Sequence, residues 1–71
     1  MVEVQSDAID EIAYDHRRSI LFVRFRHSGW YAYFGVAAET SEEFIAAQSH
    51  GRFFHQRIKN RYFFQRGRER V

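Results

Sequence analysis

The sequence predicts an α+β fold, a small three-stranded antiparallel sheet with two C-terminal helices packed on one of its faces. Three observations lead there. Ser19 to Arg26 alternates Leu21, Val23 and Phe25 with Phe22, Arg24 and Arg26, the period of a half-buried strand. Trp30 to Val36 is a second run rich in aromatic residues that follows directly on Ser28-Gly29, so the two runs read as a hairpin. From Ala38 onward the apolar spacing turns helical, and strands and helices are segregated along the chain rather than interleaved.

Asp7 to Tyr14 carries Ile9, Ile12 and Tyr14, a spacing that fits a short strand with one irregularity better than a helix of useful length. The polar stretch Asp15-His16-Arg17-Arg18 then reads as a turn. In the hairpin, Gly29 supplies the positive φ that tight turns demand. Ala38 to Gln48 holds good helix formers, with Phe44, Ile45 and Ala47 placed to meet a sheet. Thr40 and Glu43 have the spacing of a capping box, so this helix is expected to begin at Thr40.

Ser49-His50-Gly51 breaks it, and Ser49 can cap a second helix over Arg52 to about Asn60. Phe54 and Ile58 share its apolar face, while Arg52, His55, Gln56 and Lys59 fall opposite. Arg61 lands close to the apolar side, which ends the helix near it. Residues 63–71 are expected to be irregular, and residues 1–6 and 66–71 to fray.

A chain of 71 residues is one domain at most, spanning 1–71, because a second core would lack the apolar area to offset its ordering entropy. At 45% hydrophobic and 18% aromatic it has the composition of a folded protein rather than a disordered tail. There is no cysteine, which excludes a disulfide framework, a thiolate metal site and a cysteine nucleophile, and makes the cytoplasm the expected compartment. The first residues show neither a basic start nor an apolar run, so no secretory signal is expected. No stretch approaches a membrane span.

The net charge is only +2, yet the signs are segregated. Residues 1–47 hold four arginines against eight acids, and residues 48–71 hold seven cations against Glu69 alone. Two readings follow: a basic face or tail able to meet nucleic acid, or two faces that attract one another inside the fold.

Several residues then form an ordered set: Ile12-Ala13-Tyr14-Asp15, Leu21, Val23 and Phe25, the central Tyr31-Ala32-Tyr33, Val36, Ala47, Ser49, Gly51, Phe53-Phe54, Ile58 and Tyr62. At this spacing the chain resembles the KTSC domain family, a short module named for its occurrence at the C-terminus of some lysyl-tRNA synthetases and also found as small free-standing proteins. The departures are Val36-Ala37 where the family usually has Val-Pro, Ala13 where it has Gly, and His55 where it often has Asn. The last puts in doubt any transfer of a binding role to that position. For function the resemblance implies RNA binding, with no established chemistry.

The hairpin register decides what the tyrosines do. With Ser28-Gly29 as a two-residue loop, Phe25 joins Ala32 and Val23 joins Phe34 on an apolar face, while Arg26 pairs with Tyr31 and Arg24 with Tyr33 on the other. Such a grid of guanidinium groups and phenol rings suits single-stranded nucleic acid. With His27-Ser28-Gly29 as the loop, the register moves by one and both tyrosines enter the core, leaving Trp30 exposed. Ala32, flanked by Trp30 and Phe34, favours exposed tyrosines, the arrangement expected; the polar residue that family members often carry between the tyrosines favours the other.

The function expected is a non-enzymatic nucleic-acid-binding module, RNA preferred. Its residues would be Arg24, Arg26, Tyr31, Tyr33, Arg52, His55, Arg57, Lys59, Arg61, Arg66 and Arg68, with Arg70 extending the basic tail. The alternative is a protein-interaction module, or a homodimer, using an exposed aromatic patch at Phe63 and Phe64. No catalytic residue, metal, cofactor, small-molecule substrate or membrane is expected. His16, His27, His50 and His55 match no metal spacing and read as surface residues, and Ser49 is explained by capping. An RNase-like site around His55 and nearby arginines is the remaining enzymatic alternative.

Overall fold

The strand-forming runs pair into one antiparallel sheet in a computed structural model that describes residues 2–4 and 6–67. Its strands are β1 (Val2–Glu3), β2 (Ile9–Asp15), β3 (Ile20–Phe25), β4 (Gly29–Phe34) and β5 (Phe64–Arg66), and their spatial order follows the chain. The α+β class and the two helices are as expected, but the sheet has five strands, not three. The two additions are edge strands of two and three residues, too short to show a period in sequence. The expectation that residues from 63 onward are irregular is therefore corrected for Phe64–Arg66. Here Tyr31 pairs with Arg66 and Tyr33 with Phe64, and the Gly67 N–H donates to the Trp30 carbonyl at 2.7 Å. Arg68 to Val71, and with them the expected fraying of the last residues, lie outside the described part.

The irregularity read in β2 is a bulge. Ile9 faces Phe25 and Glu11 faces Arg24, so Asp10 is an extra residue on one strand. That insertion lets Ile9, Ile12 and Tyr14 all turn to one side despite their uneven spacing. The turn after β2 forms as expected, with the Asp15 carboxylate accepting the N–H groups of Arg17 and Arg18 at 2.9 and 3.1 Å.

The β3–β4 hairpin corrects the expected register. Phe25 faces Gly29, whose φ is +82°, and Arg26, His27 and Ser28 form the loop. Val23 then pairs with Tyr31 and Leu21 with Tyr33, so the tyrosines share a face with the core residues of β3. Tyr33 is 4% exposed and Tyr31 half-buried. Packing supplies the reason. On the opposite face Phe22 sits between Ala13 and Ala32, and the two small side chains leave room for its ring. Putting Ala32 beneath the helices instead would have left a void there.

Helix α1 (Ala38–Ala46) begins two residues before Thr40, and no side chain caps it. The capping box is corrected by the way the chain leaves β4: Gly35 at φ +78° and Val36, whose N–H groups both donate to the Ser19 carbonyl at 3.0 Å, bring the backbone round so that the first turn starts directly after Ala37. Helix α2 (His50–Phe53) is capped by Ser49 as expected, its hydroxyl accepting the Arg52 N–H at 3.2 Å. It continues as a π-helical turn over Phe54–Ile58, closed by the Lys59 N–H donating to the Phe54 carbonyl at 2.8 Å. Phe44, Phe54 and Ile58 pack on Ile9, Ile12, Leu21, Val23 and Tyr33, so both helices cover one face of the sheet.

Candidate functional site: an aromatic pocket beside unpaired cations

Past Ile58 the helical layer ends, and a pocket of about 400 Å³ opens between it and the sheet. Its walls are Phe25 from β3, Tyr31 and Tyr33 from β4, Phe64 from β5 and Phe54 from the π turn, and its rim carries the exposed Asp7, His27, Ser28, Lys59 and Asn60. Cross-strand pairing explains the convergence, since Tyr33 faces Phe64 directly and Tyr31 lies one pair along on the same side. Asn60 adopts φ +64° as the chain turns away after the helix.

The rings fall into two orientations. Tyr31, Tyr33 and Phe64 run nearly parallel, at interplanar angles of 13°, 26° and 30° with centroids 5.7 to 6.4 Å apart. Phe25 and Phe54 stand across them, Phe25 at 84° to Tyr31 and Phe54 at 71° to Tyr33. Burial, and secondarily the neighbouring Tyr31, push the Tyr33 phenol well above the usual tyrosine range, so it stays protonated and can donate. Volume and lining match those of ordinary small-ligand pockets, roughly 300 to 1,000 Å³ and mostly apolar with a few polar groups.

The cations expected at a binding surface divide into two groups. Arg24 lies 2.6 Å from the Glu11 carboxylate and over the Trp30 ring at 5.9 Å. Arg26 binds Asp10 at 3.2 Å and the Ser6 carbonyl at 2.6 Å. Arg57 binds Glu43 at 2.9 Å and lies over Phe53. All three are held by acids of the first part of the chain, but only Arg57–Glu43 joins the two oppositely charged parts, and the expected grid of Arg24 and Arg26 with the tyrosines does not form.

Arg52, Lys59, Arg61 and Arg66 make no ion pair among the described residues. Arg61 donates to the Gln56 carbonyl at 3.1 Å, and Arg66 lies over the Tyr31 ring at 5.8 Å. His55 is exposed with its ring edge against Phe54, and Arg68 lies outside the described residues. The structure thus brings Tyr31, Tyr33 and Lys59 together at the pocket, sets Arg66 against the Tyr31 ring, and sends Arg24, Arg26 and Arg57 elsewhere.

Phe25 and Phe54 were legible only as apolar-face residues, and Phe64 only as core rim or an exposed patch. The missing signal was the register, since Phe64 meets Tyr33 only through a strand the sequence did not reveal. Of the histidines expected on the surface, His50 is half-buried, its Nε2 donating to the Ile45 carbonyl at 3.0 Å. Among the described residues no cluster of three or more His, Asp or Glu side chains could hold a metal, and no helix is long and apolar enough to cross a membrane.

Fold and site together define a small α+β domain, a bulged meander with helices on one face and an aromatic pocket where that cover stops. The family model described as KTSC domain matches residues 5–62, and the chain belongs to the KTSC domain family. It is 35% identical to a KTSC domain protein of Yersinia pestis whose crystal structure superposes with a TM-score of 0.90, over 92% of each chain. It is also 37% identical over 62 residues to a protein of Tsukamurella paurometabola, covering 87% of this chain and 92% of that one.

Proposed function

We propose that this protein is a non-enzymatic nucleic-acid-binding module, RNA preferred. The observation that carries the reading is the set Arg52, Lys59, Arg61 and Arg66, cations of the second helix, the turn after it and the β5 edge that no carboxylate neutralises among the described residues. Such groups exchange condensed counterions for phosphate contacts, the largest sequence-independent component of nucleic-acid affinity. Compared with the basic residues read from sequence, the surface is narrower, because Arg24, Arg26 and Arg57 already have acidic partners.

The test is an anisotropy titration with mixed-sequence single-stranded RNA across a series of salt concentrations. Four phosphate contacts give a slope of log K against log salt of roughly −3. Arg52→Glu combined with Lys59→Glu should abolish the binding. No measurable binding by the wild type at low salt overturns the reading.

A second reading rests on Phe63 and Phe64, 71% and 47% exposed. Exposed rings of this size at a sheet edge favour docking to another protein or to a second copy. Salt-insensitive association in sedimentation, removed by Phe63→Ser, would support it over RNA binding.

A further inference from the structure

Resting on the RNA-binding reading, we propose that the aromatic pocket takes one unstacked base of the bound strand, with Lys59 and Arg66 meeting the flanking phosphates. Three features argue for a planar guest. Tyr31 and Phe64 present nearly parallel rings, so a base lying along them gains face contact, while the crossed rings of Phe25 and Phe54 offer edges to its perimeter. A volume of about 400 Å³ suits one base and its sugar and is too small for a stacked pair with its backbone. An apolar interior beside cations without acidic partners matches a nucleotide, whose base is apolar on its faces and whose phosphate is anionic.

The π turn ties these parts together. The same hydrogen bond that closes it, from the Lys59 N–H to the Phe54 carbonyl, fixes a wall of the pocket relative to its rim cation. Base and phosphate recognition are therefore held at one spacing by backbone. Asp7, Ser28 and Asn60 at the mouth are the groups placed to meet the polar edge of the base.

The experiment compares three ligands at low salt: a six-nucleotide mixed-sequence RNA, its fully abasic counterpart, and adenosine monophosphate. The wild type should bind the base-bearing strand roughly 5- to 100-fold more tightly than the abasic one. Phe64→Ala, at a half-exposed edge position, should erase most of that ratio by weakening the base-bearing strand. In the wild type, ring-proton resonances of Tyr31 and Phe25 should shift on adding the base-bearing strand and stay in place with the abasic one.

Equal affinity for the two strands, or ring resonances that do not move, overturns the base pocket and leaves the RNA-binding reading standing. Failure of both strands to bind overturns that reading and this inference with it. Mononucleotide affinity equal to that of the hexamer overturns the strand as the pocket's source of ligand.

Discussion

The two faces of the one sheet bury aromatic residues by different means. On the first, Leu21, Val23 and Tyr33 lie beneath Phe44, Phe54 and Ile58, so two layers close on each other. On the second, no helix residue joins the cluster of Ala13, Ile20, Phe22 and Ala32; Trp30 and Phe34 pack around it, and Phe22 is still only 6% exposed. Side chains there cover one another, with Arg24 laid over Trp30 and fixed by Glu11. A concavity lined from two directions needs two layers, which is why the aromatic pocket lies on the roofed face, where the roof ends.

The largest effect expected is on the roofed face. Phe44→Ala should cost about 3 to 5 kcal/mol, because the ring is fully enclosed and helix and sheet cannot both collapse into its space. For so small a chain, at the low end of roughly 5 to 15 kcal/mol in total, that loss leaves an appreciable unfolded fraction, readable in a urea titration. Phe22→Ala on the open face should cost less, about 2 to 3 kcal/mol, since Trp30 and Ile20 can settle into the gap and water can reach it. Equal losses would mean that the helical cover is not what separates the faces.

Alkaline pH probes the roofed face alone. The folded-state pKa of Tyr33 lies above the unfolded value of about 10, so its contribution to stability is complete below that pH and drains away as the pH climbs beyond it. Tyr33→Phe should shift the alkaline unfolding midpoint, followed by near-ultraviolet circular dichroism, to higher pH. An unchanged midpoint would show that the phenol is free to ionise in place.

The smallest change belongs to the open face. Glu11→Gln should cost at most about 1 kcal/mol, because its partner Arg24 remains 42% exposed and well solvated. High salt should weaken the wild type and leave the variant's midpoint nearly unmoved.

Much of this architecture was legible because the signals were local. The uneven spacing of Ile9, Ile12 and Tyr14 announced an irregular strand, Asp15 a turn, and Ser49 a helix cap. The ordered set around Tyr31-Ala32-Tyr33 announced the family. What failed was non-local. The capping box at Thr40 lost to the path by which the chain leaves β4, and the hairpin register lost to the fit of Phe22 between two alanines.

The candidate site was half visible for the same reason. Tyr31, Tyr33, Lys59 and Arg66 were named in advance, yet neither their meeting place nor the pairing of Arg24, Arg26 and Arg57 with acids could be read from the chain.

The amino-acid order by itself determined the class of fold, the helices and the excess of positive charge in the last third, because period, composition and capping act over a few residues. Only the tertiary structure decided which side of the sheet the tyrosines occupy, which cations stay unpaired and where the rings converge. A shift of one residue in strand pairing exchanges the two faces at almost no local cost, so that choice falls to packing between segments far apart in the chain.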